Sequence, residues 1–272
     1  SKKNQFRRIK TTERKRNNRV VRSFKKYISF SCNDYLSLSL HSKVINASVS
    51  GSKKYGAGAG ASRLITGSNP LYDKLEKVLS KFKKTEASCV FGSGYLANIG
   101  VISSLSSKKD LILVDEYSHS STFLGAKLTD SKVIKYKHND MIDLEVKLRK
   151  YRQKYEKCLI VTEGIFSMDG DLSPQDQITI IKNRFNAFFI LDDAHGLGVV
   201  GDGTGSDSLF KKNSVQIDVY VGTLSKSIGS YGGFVSGSKN LIRFLINRCR
   251  TQIYTTALPP STLAASLEAI KI

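Results

Sequence analysis

The chain has 272 residues, of which 40% are hydrophobic and 24% charged. That profile excludes a disordered polymer and fits one large domain or two small ones, at roughly 100–200 residues each. The 43 Lys/Arg against 23 Asp/Glu give a net charge of +20, and no apolar run reaches the ~18 residues a membrane helix needs, so a membrane partner is not expected.

Residues 1–26 read as a basic arm: they hold twelve Lys/Arg and one acid, so +11 of the charge sits there and +9 in the rest. Its opening, SKKNQFRRIK, lacks an apolar segment, so no secretory leader is expected and the expected setting is the cytoplasm. Beyond the arm the lysines are scattered, with no aromatic-interleaved basic patch, so nucleic acid is not an expected partner. An anionic small molecule would suit such a surface. Tyr27 to Ser31 is a short strand candidate. Residues 55–67, YGAGAGASRLITG, carry four glycines and no acid and read as loop. Pro70 opens a helix with Leu71, Leu75, Val78, Leu79 and Phe82 at helical spacing.

From there strands and helices alternate. Short β-rich runs occur at 87–91, 111–114, 133–136, 158–162, 188–191, 219–222 and 233–236, with helical segments notably at 95–105, 141–155 and 175–185. The strand runs are continuously apolar, which suits a mostly parallel sheet buried on both faces by flanking helices. An α/β fold follows, with ligands expected beyond the carboxyl ends of the strands. Cys32, Cys89, Cys158 and Cys249 are too far apart for a zinc knuckle and read as free thiols, and His41, His119, His138 and His195 have no metal-ligand spacing, so no metal is expected.

Three segments just past strand runs carry chemistry. Gly92-Ser93-Gly94 leads into a helix, where backbone N–H groups can meet a phosphate, although taken alone a tight strand–helix turn is the better reading. Asp192-Asp193-Ala194-His195 follows the most apolar strand, where acids are costly unless paired or used. Thr223-Leu224-Ser225-Lys226-Ser227 sets a lysine at another strand end; a desolvated lysine becomes a nucleophile for carbonyls, whereas a lone lysine usually points to solvent. A phosphate cradle, an acid and a lysine together match the needs of pyridoxal 5′-phosphate.

These segments, with SCNDYLSL (31–38), YGAGAGASRLITGSNPLYDKLE (55–76), DEYSHSS (115–121), VTEGIFSMDGD (161–171) and YTTALPPS (254–261), give the chain a resemblance to the α-oxoamine synthase family of fold-type I pyridoxal-phosphate enzymes. The resemblance implies the large domain of that fold over 41–250, an N-terminal arm and short strand over 1–40, and over 251–272 the start of a linker helix toward a C-terminal small domain missing from this chain. It implies a cytoplasmic homodimer with a shared active site. Lys226 resembles the imine-forming, proton-shuttling lysine. Asp192 resembles the partner of the pyridine nitrogen, His195 the partner of the ring's O3′, and His119 the imidazole stacked on the ring. Ser93, Gly94 and Tyr95 resemble the phosphate end, and Ser167 and Thr223 hydroxyl contacts. Asn33 and, by a looser match, Arg7 resemble substrate contacts, and Thr255 or Thr256 a phosphate contact reaching across the dimer.

Members of the family join an amino acid to an acyl thioester carried on coenzyme A or acyl carrier protein. The pairs are alanine with pimeloyl, glycine with acetyl or succinyl, and serine with palmitoyl. VTEGIFSMDGD most resembles the alanine-using members of biotin synthesis, because glycine-using members tend to show Asp at Glu163 or Ser at Gly164. GTLSKSIGSYGGF is shared in flavour with the serine-using members. The expected activity is therefore decarboxylative condensation of alanine with a pimeloyl thioester. The alternatives are the serine or glycine reactions, or a catalytically silent fragment.

Overall fold

The structure is a computed structural model that describes residues 7–212 and 214–272. The first six residues of the expected arm lie outside the described residues.

The rest of the arm is not a simple extension. It folds into three antiparallel strands, β1 (Glu13–Arg14), β2 (Arg19–Arg22) and β3 (Lys25–Ile28). The expected strand at 27–31 thus begins and ends earlier. The reason is local. Ser23 and Phe24 take φ of 49° and 60° between Arg22 and Lys25, a two-residue turn whose twist matches a hairpin. Asn17 and Asn18 take φ of 58° and 54° in the preceding turn, which asparagine tolerates best among residues with a side chain. An ion pair of 2.6 Å from Arg14 to the buried Asp34 ties this small sheet to the main body.

α1 (Ser42–Tyr55) follows, and part of the expected glycine-rich loop is helical after all: Arg63–Gly67 forms a π-helical turn. α2 (Pro70–Phe82) starts where Pro70 predicts, with the Asn69 side chain accepting from Leu71 N at 2.9 Å. The alternation then runs β4 (Ala87–Phe91), α3 (Gly94–Leu105), β5 (Leu111–Asp115), α4 (Ser120–Lys127), β6 (Lys132–Tyr136), α5 (Met141–Tyr151), β7 (Cys158–Glu163), α6 (Gln175–Arg184), β8 (Phe188–Asp192), β9 (Val219–Thr223) and β10 (Gly233–Gly237). It closes with α7 (Lys239–Arg248), α8 (Arg250–Ile253) and α9 (Pro260–Ala269).

Strands β4 to β10 form one sheet in the order β4-β10-β9-β8-β7-β5-β6. Only β10 runs against its neighbours; the other pairings are parallel. The apolar runs fill both sides of the sheet. Leu111, Leu113, Ile160, Phe189 and Leu191 pack with α2 on one face, and Ile112, Val114, Val161, Ile190 and Val221 pack with α3 and α7 on the other. Burial on both faces is what continuous rather than alternating apolar sequence demands. Parallel direction then delivers the carboxyl ends of β4, β5, β7, β8 and β9 to one edge. Among the described residues no helix is long and apolar enough to cross a membrane.

Candidate active site

That edge holds a cavity of about 210 Å³ lined by Ser93, Gly94, Tyr95, Asn98, His119, Glu163, Asp192, Ala194, His195, Thr223, Ser225 and Lys226. Two larger hollows, of about 490 and 590 Å³, lie where β7, β8 and β9 begin and beside the N-terminal sheet, away from these groups. Chemistry rather than size therefore picks the site.

Lys226 sits in the turn after β9, its Nζ 2.6 Å from His195 Nε2. Burial lowers the lysine's pKa against the opposing pull of Asp192 and Glu163. Burial, aided by the Lys226 charge, also pushes His195 down to about 4. A neutral imidazole accepts at Nε2 from the lysine, so Nδ1 carries the proton and donates to the Tyr35 hydroxyl at 2.7 Å. Tyr35 in turn donates to Asn33 Oδ1 at 3.3 Å. The tautomer that keeps Lys226 in place is fixed by a residue 191 positions away along the chain.

The two acids that end β8 part company. Asp192 lines the cavity, accepting at Oδ2 from the Asn98 amide at 2.6 Å and at Oδ1 from Ala194 N at 3.0 Å. Asp193 turns away into the wall, where Tyr220 Oη (2.7 Å) and Ser206 N (2.9 Å) donate to it. Asn98 also donates to Ser121 Oγ at 3.1 Å, which lies 2.7 Å from His119 Nδ1. One amide on α3 thus positions both the carboxylate and, through Ser121, the imidazole that caps α4.

Ser93 caps α3, its hydroxyl accepting from Leu96 N at 3.1 Å. The N–H groups of Gly94 and Tyr95 stay without intrahelical partners, as the first turn of any helix does. Gly233 at the start of β10 holds this turn in place: a Cβ there would come within 2.4 Å of Gly94 N.

These observations fit pyridoxal phosphate. A helix N-terminus and the Thr223 hydroxyl can hold its phosphate. A carboxylate satisfied by neutral donors can hold a protonated ring nitrogen, and a deprotonated amine can meet its aldehyde carbon.

Of the residues expected from sequence, Ser93, Gly94, Tyr95, His119, Asp192, His195, Thr223 and Lys226 line the cavity. Ser167 does not, although its backbone N–H faces the Glu163 carboxyl. Asn33 stands one hydrogen bond behind Tyr35. Arg7 is exposed and outside the lining, and Thr256 pairs with Ser62 in an isolated bridge. Sequence reasoning missed Tyr35, Asn98 and Glu163 as site residues. Asn98 was within reach, four residues after Gly94 on the same face of α3.

A lysine beside a paired histidine, an acid at a neighbouring strand end and a phosphate-ready helix terminus define a site for an aldehyde cofactor on an α/β sheet. The chain belongs to the aminotransferase class I and II family, whose profile matches residues 25–272. It is 46% identical over 253 residues to the 8-amino-7-oxononanoate synthase of Granulibacter bethesdensis, covering 93% of this chain and 65% of that protein. A serine palmitoyltransferase from S. paucimobilis, solved with bound PLP and myriocin, superposes with a TM-score of 0.90 at 30% identity, covering 95% of this chain and 65% of that one. The 8-amino-7-oxononanoate synthase structure from Francisella tularensis gives 0.75 at 33% identity, with 89% and 68% covered. The chain therefore spans about two thirds of the length of these relatives. The α-oxoamine synthase resemblance, the fold and the cofactor expected from the motifs agree with these findings.

Proposed function

We propose that the protein, with pyridoxal phosphate, catalyses the decarboxylative condensation of L-alanine with a pimeloyl thioester to give 8-amino-7-oxononanoate. The carrying observation is the convergence of Lys226, His195, Asp192 and His119 on one cavity in a chain 46% identical to a named synthase of that product. The likeness to serine palmitoyltransferase is close in shape but weaker in sequence, at 30%.

When bound, the cofactor supplies an electron sink for the carbon beside the substrate's amine. The chain's residues do the rest. Ser93, Gly94, Tyr95 and Thr223 would hold the phosphate, Asp192 the ring nitrogen, His195 the ring oxygen and His119 the ring face. The lowered pKa of Lys226 keeps its amine ready to accept the α-proton of alanine, and His195 Nε2 accepts a hydrogen bond from that amine and keeps it aimed. Asn33 and Arg7 would serve the substrate's carboxylates, and Ser167 the cofactor.

We further propose a homodimer in which Thr256 of one copy reaches the other's phosphate site. Exposed Leu64, Ile65 and Tyr254 lie on the segments that carry the Ser62–Thr256 bridge and support this reading. Residues 1–40 would form the arm, 41–250 the cofactor-binding domain and 251–272 a linker. Free thiols at all four cysteines suit a reducing cytoplasm. The test supplies the PLP-loaded chain with alanine and pimeloyl thioester, or with serine and palmitoyl thioester, and follows product by mass spectrometry. Product from the serine pair alone would overturn the alanine assignment.

A further inference from the structure

We infer that Glu163 is the protonated acid of this site: it holds a proton at neutral pH and donates it, as a hydrogen bond, to an oxygen of the cavity's occupant, while Asp192 beside it carries the charge. The inference deepens the proposed function by adding a proton-bearing group to the same cavity.

Glu163 ends β7 and Asp192 ends β8, and the two are register partners in that parallel pair. Both line the cavity, so two carboxyls stand side by side at a buried edge. Like charges at that spacing cannot both be sustained away from water. The partners decide which acid keeps the charge. Asp192 has an amide and a backbone N–H donating to its two oxygens. Glu163 is 2% exposed, and its Oε1 has no partner among the described residues. An ionised carboxylate can only accept hydrogen bonds, whereas a protonated one gains a donor.

The remaining charged or titratable groups of the lining are Lys226, His195, His119 and Tyr95. Lys226 and the backbone N–H groups of His119 and Ser167 favour the ionised form of Glu163. Burial outweighs them, and the Asp192 charge adds to it, so the carboxyl is pushed up to about 8. A neutral Glu163 also leaves only one negative carboxylate facing Lys226, so the lysine gives up its proton more readily.

Infrared difference spectra of the wild-type chain against Glu163→Gln, with and without PLP, test this. A protonated-carboxyl stretch should be present at neutral pH in wild type, absent in Glu163→Gln, and lost as the pH rises above about 8. In Asp192→Asn the neighbouring charge is gone and burial alone holds the proton, so the same band should vanish at a lower pH than in wild type. Glu163→Gln, neutral and still a donor, should keep PLP affinity within about threefold, whereas Glu163→Leu should weaken it about tenfold, the worth of one hydrogen bond. Absence of the band at neutral pH, or equal losses in Gln and Leu, would overturn the inference. Neither readout uses alanine or a thioester, so a wrong substrate assignment would leave it standing.

Discussion

The side-chain nitrogen of Asn98 lies 2.6 Å from Oδ2 of Asp192, and both groups are buried. The contact joins the helix that opens at the phosphate end to the strand that ends in the acid. It places one neutral donor on the carboxylate without cancelling its charge.

Replacing Asn98 with Leu removes that donor and also the one to Ser121. A buried charge that loses a partner costs about 1–3 kcal/mol. The variant should therefore melt at a lower temperature in calorimetry and bind PLP more weakly, whereas Asn98→Gln should recover little because its longer arm misplaces the amide.

Lys226→Ala should lower turnover by more than ~1000-fold, since it removes the one amine placed to meet the cofactor's aldehyde carbon as well as the acceptor of the α-proton. Borohydride treatment of the PLP-loaded wild type, followed by peptide mapping, should put the label on Lys226. A label on another lysine would move the site.

Tyr35→Phe leaves the Nδ1 proton of His195 without its 2.7 Å acceptor. Tyr35 is 40% exposed, so folding should change by less than about 1 kcal/mol. Activity should fall about tenfold at neutral pH, measured as kcat at saturating substrate, because the tautomer facing Lys226 is no longer fixed.

His195 is depressed to about 4 from an ordinary value of 6.5. The unfolded chain therefore takes up this proton first, and the native state loses stability as pH falls from 6.5 toward 4. His195→Gln should flatten that part of the stability profile in denaturant titrations.

His138 behaves oppositely. It stands between Asp115 (3.0 Å) and Asp171 (2.8 Å), stacked on Tyr117. Burial pulls its pKa down, but the two carboxylates outweigh that and raise it. Its stabilisation is full below the ordinary imidazole range and fades as pH rises through the raised value. Because Asp171 belongs to the loop carrying Ser167, His138→Gln should speed hydrogen exchange across residues 164–172 at neutral pH and remove the pH dependence of that exchange.

The centre of the sheet was readable because β5, β7 and β8 are nearly continuous apolar runs, a pattern that a doubly covered strand requires. Lys226, Asp192 and His195 were readable because polar residues directly after such runs must sit at the strand ends. β1 and β2 escaped notice because charge hid Val20 and Val21, and the strand expected at 27–31 was set too late because its start depends on the Ser23-Phe24 turn. Tyr35 and Glu163 act through partners far away in sequence, at His195 and Asp192, and such pairings follow from strand order rather than local pattern.

The close approach of Gly233 to Ser93 and Gly94 makes the anion-receiving turn a fixed part of the sheet. The chain meets the entropic cost of shaping that turn when it folds, so a phosphate held there as proposed would find its donors already arrayed. Affinity at this end should then depend little on loop ordering, and a methyl group at position 233, meeting backbone atoms of Ser93 and Gly94 at 2.4–2.5 Å, would strain the sheet and displace the turn together.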